Sequence, residues 1–501
     1  MVRPVPRRLL PVGALTGVAL IALALRLELL SSRSLWIDEA LSLDIAARGP
    51  AEIVRLSRAA EPHPPGYYLL LWGWQLLFGD TVATARTLSL LFGLATVLLT
   101  WAMGRRLFGQ AIGLSAAGIV ALHPFQIFAS NEIRMYPLLS TLGLAATLSL
   151  AGALEKPHRL TLWAIYGLLA ATIAYTSYYG LLLLAGHAAA VCAVVRGHAP
   201  WRGPAVGVAV ALACYSPWIS SFVPSVTSNP VPWRPPFTWA YPLQILISQT
   251  FGGHLLDTPA YHASGPPSLL WVALVAPFVV LLLLGARKAT RSNHGVLLLC
   301  SWLVPIVLVL AASAALNKVV AYQYHLSYMG PYAACLLALG GASVVERVAA
   351  DQKRAAALGL AILVLAYMGP AALTVQRGTR EVYRFDVAAR WLAERRQLGD
   401  VTIYFTETGQ RVLRRYLVAR GPEIAIAPSP RRWTLKESEE LLGRAVVPLE
   451  ARHRRIWLVL TPPFPPGSAE ELIRLLEEKG YRTSERGVSF GGVFIQLLER
   501  Q

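Results

Sequence analysis

Charge is scarce in this chain, and acidic charge is scarcest: 15% of its 501 residues are charged, and only about a dozen acidic residues fall in the first 375 positions. With 55% hydrophobic residues and a mean hydropathy of +0.49, that composition excludes an ordinary soluble globule. Four cysteines occur (Cys192, Cys214, Cys300, Cys335), each within an apolar stretch and without C-x-x-C spacing. Their pattern excludes a disulfide framework or a zinc cluster, and buried small apolar side chains account for them. Nucleotide signatures are absent as well: there is no G-x-x-x-x-G-K-[ST], no G-x-G-x-x-G and no Asp-x-Asp, and the metalloprotease string H-E-x-x-H is missing too. A soluble nucleotide-sugar transferase is therefore disfavoured.

What is present is a series of apolar stretches about 17–25 residues long, the length that crosses a bilayer core. The first, Leu9–Leu30, follows Arg3, Arg7 and Arg8. It is too long for a signal-peptide core and reads as a retained helix. The net charge of +18 points away from nucleic acid because of where it sits. Arg105-Arg106, Arg196–Arg202, Arg287–Arg291 and Arg347–Arg354 lie in short loops between apolar stretches, where the positive-inside rule gathers Lys and Arg.

Placing those loops in the cytoplasm gives spans near 9–30, 87–104, 110–127, 137–154, 160–176, 179–195, 204–221, 269–285, 296–315, 329–346 and 355–375. The expectation is an α-helical polytopic membrane protein with about eleven transmembrane helices, the spacing of bilayer-length apolar runs, and a cytoplasmic N-terminus. Tyr67–Phe78 is too short to span and reads as an interfacial or re-entrant helix. External loops then cover 31–86 and 222–268, the second carrying Trp233, Arg234, Trp239, His254 and Asp257. From 376 to 501 the composition becomes that of a small extracytoplasmic α/β domain. Strands are expected at Val401–Phe405, Ile456–Thr461 and Val493–Leu498, and helices at Val387–Arg396, Gln410–Val418 and Ala469–Lys479. Its many arginines (Arg411, Arg414, Arg415, Arg431, Arg432, Arg452, Arg454, Arg455) suit anionic headgroups or simply solvated helix faces.

The acidic residues that do occur are placed unusually. Asp38 and Glu39 follow the first span directly, in Ser34-Leu35-Trp36-Ile37-Asp38-Glu39-Ala40. A carboxylate at a membrane face needs water, a cation or a polar partner. One of the pair could serve as general base while the other holds a cation, or the pair could cap an interfacial helix over Ala40–Ala47. Glu61-Pro62-His63-Pro64-Pro65-Gly66-Tyr67-Tyr68 closes the same loop. There His63 suits a phosphate contact or proton exchange near neutrality, or merely sits in a rigid turn. Glu132, Arg134 and Tyr136 lie in Ser130–Tyr136, external on the same topology. Arg134 suits a carboxylate or a phosphate. A surface ion pair is the plainer alternative. Lys318 and His325 flank the later spans as contacts for an anionic headgroup or as interfacial anchors. Asp38 and Glu132 are candidate oxygen ligands for Mg2+ or Mn2+, with no cofactor otherwise implied.

In order, Leu35-Trp36-Ile37-Asp38-Glu39-Ala40, His63-Pro64-Pro65-Gly66-Tyr67-Tyr68, Leu107-Phe108-Gly109 and Ser130-Asn131-Glu132-Ile133-Arg134-Met135-Tyr136 resemble a known pattern. It is that of the GT-C membrane glycosyltransferases of the bacterial protein-mannosyltransferase-like superfamily. That group includes the aminoarabinose transferase acting on lipid A and the Rgt-type transferases. The resemblance covers about 35–140 and implies a GT-C-like catalytic domain over 1–375. It also implies a polyprenyl-phosphate-linked sugar donor and an inverting transfer to a hydroxyl of a lipid, glycan or protein at the outer face of the plasma membrane. Asp38 matches the family's catalytic carboxylate, Glu39 its neighbour and Glu132 the second acidic position. Two positions depart from the pattern: Tyr324-His325 stands where Arg-Tyr is frequent, and Gly66 where a bulky aliphatic residue follows the prolines. The competing class is a lipid-linked-substrate transporter or flippase. Charges gathered at one face and the absence of an internal repeat favour the enzyme.

Overall fold

The computed structural model describes residues 9–28, 30, 33–59, 63–195, 201–227, 234–250, 269–381, 384–417, 422–427, 453–461, 468–484 and 487–500. Trp233, His254, Asp257, Arg431, Arg432 and Arg452 lie outside them. The chain divides into two compact units. One comprises Met1–Leu30, Ile45–Pro230 and Arg234–Gln376, the other Ser31–Asp44, Val231–Trp233 and Arg377–Gln501.

The first unit is helical. A helix stands at each of the eleven expected places, from Leu9–Leu27 and Val82–Phe108 through to Gly330–Arg347 and Lys353–Glu381. Among the described residues six helices have the length and hydropathy to cross a membrane, and four further apolar helices are shorter. Close helix approach depends on small residues, as is usual where lipid rather than water surrounds the bundle. Gly285 on Leu269–Ala289 lies against the Leu336 carbonyl, and Gly340 on Gly330–Arg347 lies against that of Leu281. A Cβ on either would collide with backbone.

Two local features set up the region between spans. Gly66–Phe78 forms a helix of 13 residues, about 20 Å at 1.5 Å per residue and so short of a bilayer core. Its first residue must be small, because a Cβ on Gly66 would lie 2.5 Å from the Tyr175 carbonyl oxygen. The span expected over 110–127 is in fact broken into Gln110–Leu122 and Pro124–Ala129. Pro124 lacks the N–H that would continue the helix and disfavours helical backbone at His123. The carbonyls freed at Val120 and Ala121 accept hydrogen bonds from the buried Arg26 guanidinium at 3.3 and 3.1 Å. Arg26 also donates to Ser130 Oγ at 3.1 Å, fixing the turn that follows.

The second unit contains a six-stranded mixed sheet in the order β2-β1-β3-β6-β4, with β5 also paired to β6. Its strands are β1 (Val401–Thr406), β2 (Glu423–Ala427), β3 (Arg455–Leu460), β4 (Tyr481–Thr483), β5 (Val488–Phe490) and β6 (Val493–Arg500). β1 runs parallel to β2 and β3, and β6 runs antiparallel to β3. β1 is buried along its whole length, as a central strand with apolar partners on both sides requires. The helix Ser468–Glu478 turns Leu472 and Leu476 into the same core as Ile403 and Leu458. Gly487–Gly491 reads G-x-S-x-G, yet it shapes the β5–β6 hairpin, where Ser489 Oγ donates to the Gly491 carbonyl at 3.0 Å. A nucleophile elbow needs a strand-to-helix turn instead.

Candidate active site

Within the helical unit, five sequence candidates converge: His63, Glu132, Arg134, Tyr136 and His325. Ser130–Met135, the turn between Pro124–Ala129 and Tyr136–Glu155, is buried throughout. Asn131 Nδ2 donates to the Ile127 carbonyl at 2.9 Å, and Gln126 Nε2 donates to the Ser327 carbonyl at 2.6 Å. The second bond ties the helix Pro124–Ala129, which leads into this turn, to the short 3-10 helix Gln323–Met329. Arg134 Nη2 lies 3.0 Å from His63 Nε2. A guanidinium has no acceptor, so the imidazole nitrogen accepts and the ring proton sits on Nδ1. Burial, followed by the Arg134 and Arg234 charges, pushes the His63 pKa well below 6.5. His63 is therefore neutral at physiological pH. The sequence had suggested proton exchange near neutrality for it, but burial beside two cations removes that role.

His325 lies on the other side of the cluster. The Tyr322 backbone N–H donates to His325 Nδ1 at 2.9 Å, which leaves the proton on Nε2. Its ring stacks on Tyr179 with centroids 4.2 Å apart and lies 6.5 Å from the His63 ring. Tyr136 meets His325 edge-on at 6.2 Å and Tyr324 at 5.5 Å. Glu132, 1% exposed, belongs to the same buried turn, its carbonyl accepting from the Arg134 N–H at 2.7 Å.

The sequence flagged Arg234 only as part of a long loop and did not single out Tyr179, yet both complete this cluster. Arg234 Nη2 donates to Tyr179 Oη at 2.7 Å, and Nη1 donates to the Val320 carbonyl. The backbone of the next residue, Pro235, accepts from the Val319 N–H at 3.0 Å. Arg234 thus reaches the loop that also carries the half-buried Lys318. The available signal was composition: an arginine between Trp233 and two prolines, on a loop too long to be a mere connector. The result is a group of buried Arg134, His63 and His325 with half-buried Arg234, set among the rings of Tyr136, Tyr179, Tyr322 and Tyr324.

Asp38 and Glu39 belong to the second unit. They occupy the first turn of the helix Ile37–Ala46. The Trp36 N–H donates to Glu39 Oε2 at 3.3 Å, the carboxylate half of a capping box, and Arg33 Nη2 stands 3.9 Å from the same oxygen. Glu39 is fully buried by these contacts. Asp38 is half-buried, and no described residue donates a hydrogen bond to its carboxylate. Among the described residues no group of three or more His, Cys, Asp and Glu side chains is arranged to hold a metal ion.

Residues 62–220 match the family model described as dolichyl-phosphate-mannose-protein mannosyltransferase. No individual curated protein matches by sequence. Among solved structures, ArnT from Cupriavidus metallidurans bound to undecaprenyl phosphate superposes with a TM-score of 0.60 at 16% identity, covering 97% of each chain. AglB, the oligosaccharyltransferase of Archaeoglobus fulgidus, superposes in complex with an inhibitory peptide and a dolichol-phosphate. The TM-score is 0.60 at 12% identity, over 98% of this chain and 74% of that one. The matched segment carries His63, Glu132, Arg134 and Tyr136, and the fold agrees over almost the full length. The chain thus shares the fold of ArnT and AglB, and residues 62–220 resemble the mannosyltransferase family.

Proposed function

We propose that the protein transfers a sugar from a polyprenyl-phosphate carrier to a hydroxyl acceptor, with inversion, at the extracytoplasmic face of the plasma membrane. The observation that carries this reading is the cluster of buried Arg134, His63 and His325 with half-buried Arg234, lined by tyrosines. A fixed group of donors in a low-dielectric setting stabilises charge developing on a departing phosphate. The similar folds support it, since ArnT was solved with undecaprenyl phosphate and AglB with a dolichol-phosphate.

The chemistry balances with groups on the chain. The acceptor oxygen attacks the anomeric carbon from the face opposite the phosphate, and its proton passes to the Asp38 carboxylate. The carbon–oxygen bond to phosphate breaks, and its electron pair leaves on the phosphate. Arg134 and Arg234 then hold that charge, His325 Nε2–H donates to it, and Lys318 adds charge from the neighbouring loop. His63, neutral, orients Arg134 rather than moving a proton. Glu39 keeps the helix start in place beside Asp38, and Glu132 orients the acceptor. A divalent cation such as Mg2+ or Mn2+, held by Asp38 or Glu132, would supply further charge compensation at the phosphate. Membrane lipids surround the helices, and the acceptor is a lipid, glycan or protein hydroxyl.

The test is transfer from radiolabelled polyprenyl-phosphate sugars by purified protein, beside Asp38→Asn and with EDTA followed by Mg2+ or Mn2+ add-back. Transfer by wild type with a loss of at least 100-fold in kcat for Asp38→Asn is expected, the scale of general-base catalysis. Donor binding without any transfer across a broad acceptor panel would overturn the enzyme reading in favour of translocation.

A further inference from the structure

Asp38 is held from the sheet side of its own unit. The helix Glu407–Leu413 follows β1 and is capped by Thr406, whose Oγ1 accepts from the Gly409 N–H at 3.2 Å and shares a hydrogen bond with Thr461 Oγ1 at 2.8 Å. A Cβ on Gly409 would run into Thr461, so this helix sits against the residue that follows β3 with no slack. Arg411 lies on this helix and Arg415 in the turn that follows it. Arg411 Nε lies 3.0 Å from Asp44 Oδ2, and Arg415 Nη2 lies 2.6 Å from Asp44 Oδ1. Each carboxylate oxygen of Asp44 thus has its own guanidinium. At the other end of the segment, the Leu35 N–H donates to Tyr416 Oη at 2.7 Å, and the Asp386 N–H donates to Ser34 Oγ at 3.2 Å. Asp38 lies between the two fastenings, and none of the bonds is spent on its own carboxylate.

We propose that Arg411, Arg415 and Tyr416 are positioning residues that pin the segment Ser34–Asp44 at both ends and so fix where the Asp38 carboxylate stands during transfer. The half-exposed ion pairs contribute little to global stability, so their stronger role is geometric. A misplacement of about 1 Å at a catalytic group is enough to cost about 100-fold in rate. The catalytic consequence rests on the glycosyltransferase reading above.

The experiment uses the full-length protein in nanodiscs and compares wild type with Arg411→Ala/Arg415→Ala, with Tyr416→Phe and with the conservative Arg411→Lys/Arg415→Lys. Hydrogen–deuterium exchange over residues 33–44 and over β1 and β3 reports the fastening. Steady-state transfer from a polyprenyl-phosphate sugar reports kcat and donor KM separately. The double alanine variant is expected to raise exchange over 33–44 with β1 and β3 unchanged. Its kcat should drop at least tenfold at a donor KM within about twofold, a change that misplaces a base without touching uniform binding. Lysines should restore part of the loss, and Tyr416→Phe should raise exchange mainly toward Leu35.

Unchanged exchange over 33–44 overturns the proposal, and so does raised exchange at unchanged kcat. Exchange rising across β1 and β3 as well would overturn it too, by showing a general loss of fold. A wild type that transfers no sugar while its exchange pattern shows the fastening would sink the transfer reading, and the positioning role with it. A working wild type beside a fully active double variant would sink the positioning role alone.

Discussion

At the scale of single residues, the cationic cluster separates groups that carry charge from groups that only orient it. Arg234 holds both the Val320 carbonyl and Tyr179 Oη, and Tyr179 in turn supports the His325 ring. Arg234→Ala should raise the Kd for polyprenyl phosphate by about 10–100-fold, the equivalent of about 1.5–3 kcal/mol for hydrogen bonds to a charged group. Arg234→Lys should recover only part, because an ammonium cannot reproduce the two-sided fork. Binding of labelled lipid to the purified variants measures both. His63 makes a prediction in pH. Its folded pKa lies well below the unfolded value near 6.5, so the unfolded chain binds the extra proton first as pH falls. The stability this neutral imidazole contributes is complete above about pH 6.5 and is lost on acidification below it. The wild-type melting temperature should therefore fall more steeply between pH 7 and 5 than that of His63→Gln. Equal slopes in a thermal scan would show that His63 is not buried neutral.

At the scale of elements, backbone contact sets the helix pairs. Gly340→Leu places a side chain against the Leu281 carbonyl and should destabilise by roughly 1–3 kcal/mol or more, the range for overpacking. Gly341→Leu, one residue along, has only a Leu360 methyl at 3.4 Å to displace and should be milder. The difference in melting temperature between the two variants checks the claim. Long apolar segments were legible from sequence because hydropathy over a bilayer length is a strong signal, and each of the eleven places holds a helix. The short helix Gly66–Phe78 was legible for the same reason, by being too brief. The break at His123-Pro124 was not, since a pattern of apolar residues runs straight through it. Strands β4 and β5, three residues each, offer no period to read. In the candidate site, residues within the ordered motifs were visible, whereas Tyr179 and Arg234 join through tertiary contacts that no local pattern encodes.

For the whole molecule, an odd number of spans would put the two ends of the chain on opposite sides of the membrane. A fluorescent reporter at the N-terminus and an alkaline phosphatase fusion at the C-terminus should both be active in the same cell type, and activity of a fluorescent fusion at the C-terminus would contradict the arrangement.

One consequence concerns the ribosome. The Leu35 N–H finds its partner 381 residues further along, at Tyr416, and Asp44 finds Arg415 at a separation of 371. At translation rates of about 5–20 residues per second, the acidic segment emerges roughly 20–80 s before the residues that fasten it. Every helix between them is made and inserted first. A nascent or prematurely terminated chain would therefore carry the segment Leu35–Asp44 without its fastenings to Arg415 and Tyr416, so the last quarter of synthesis is when they can form.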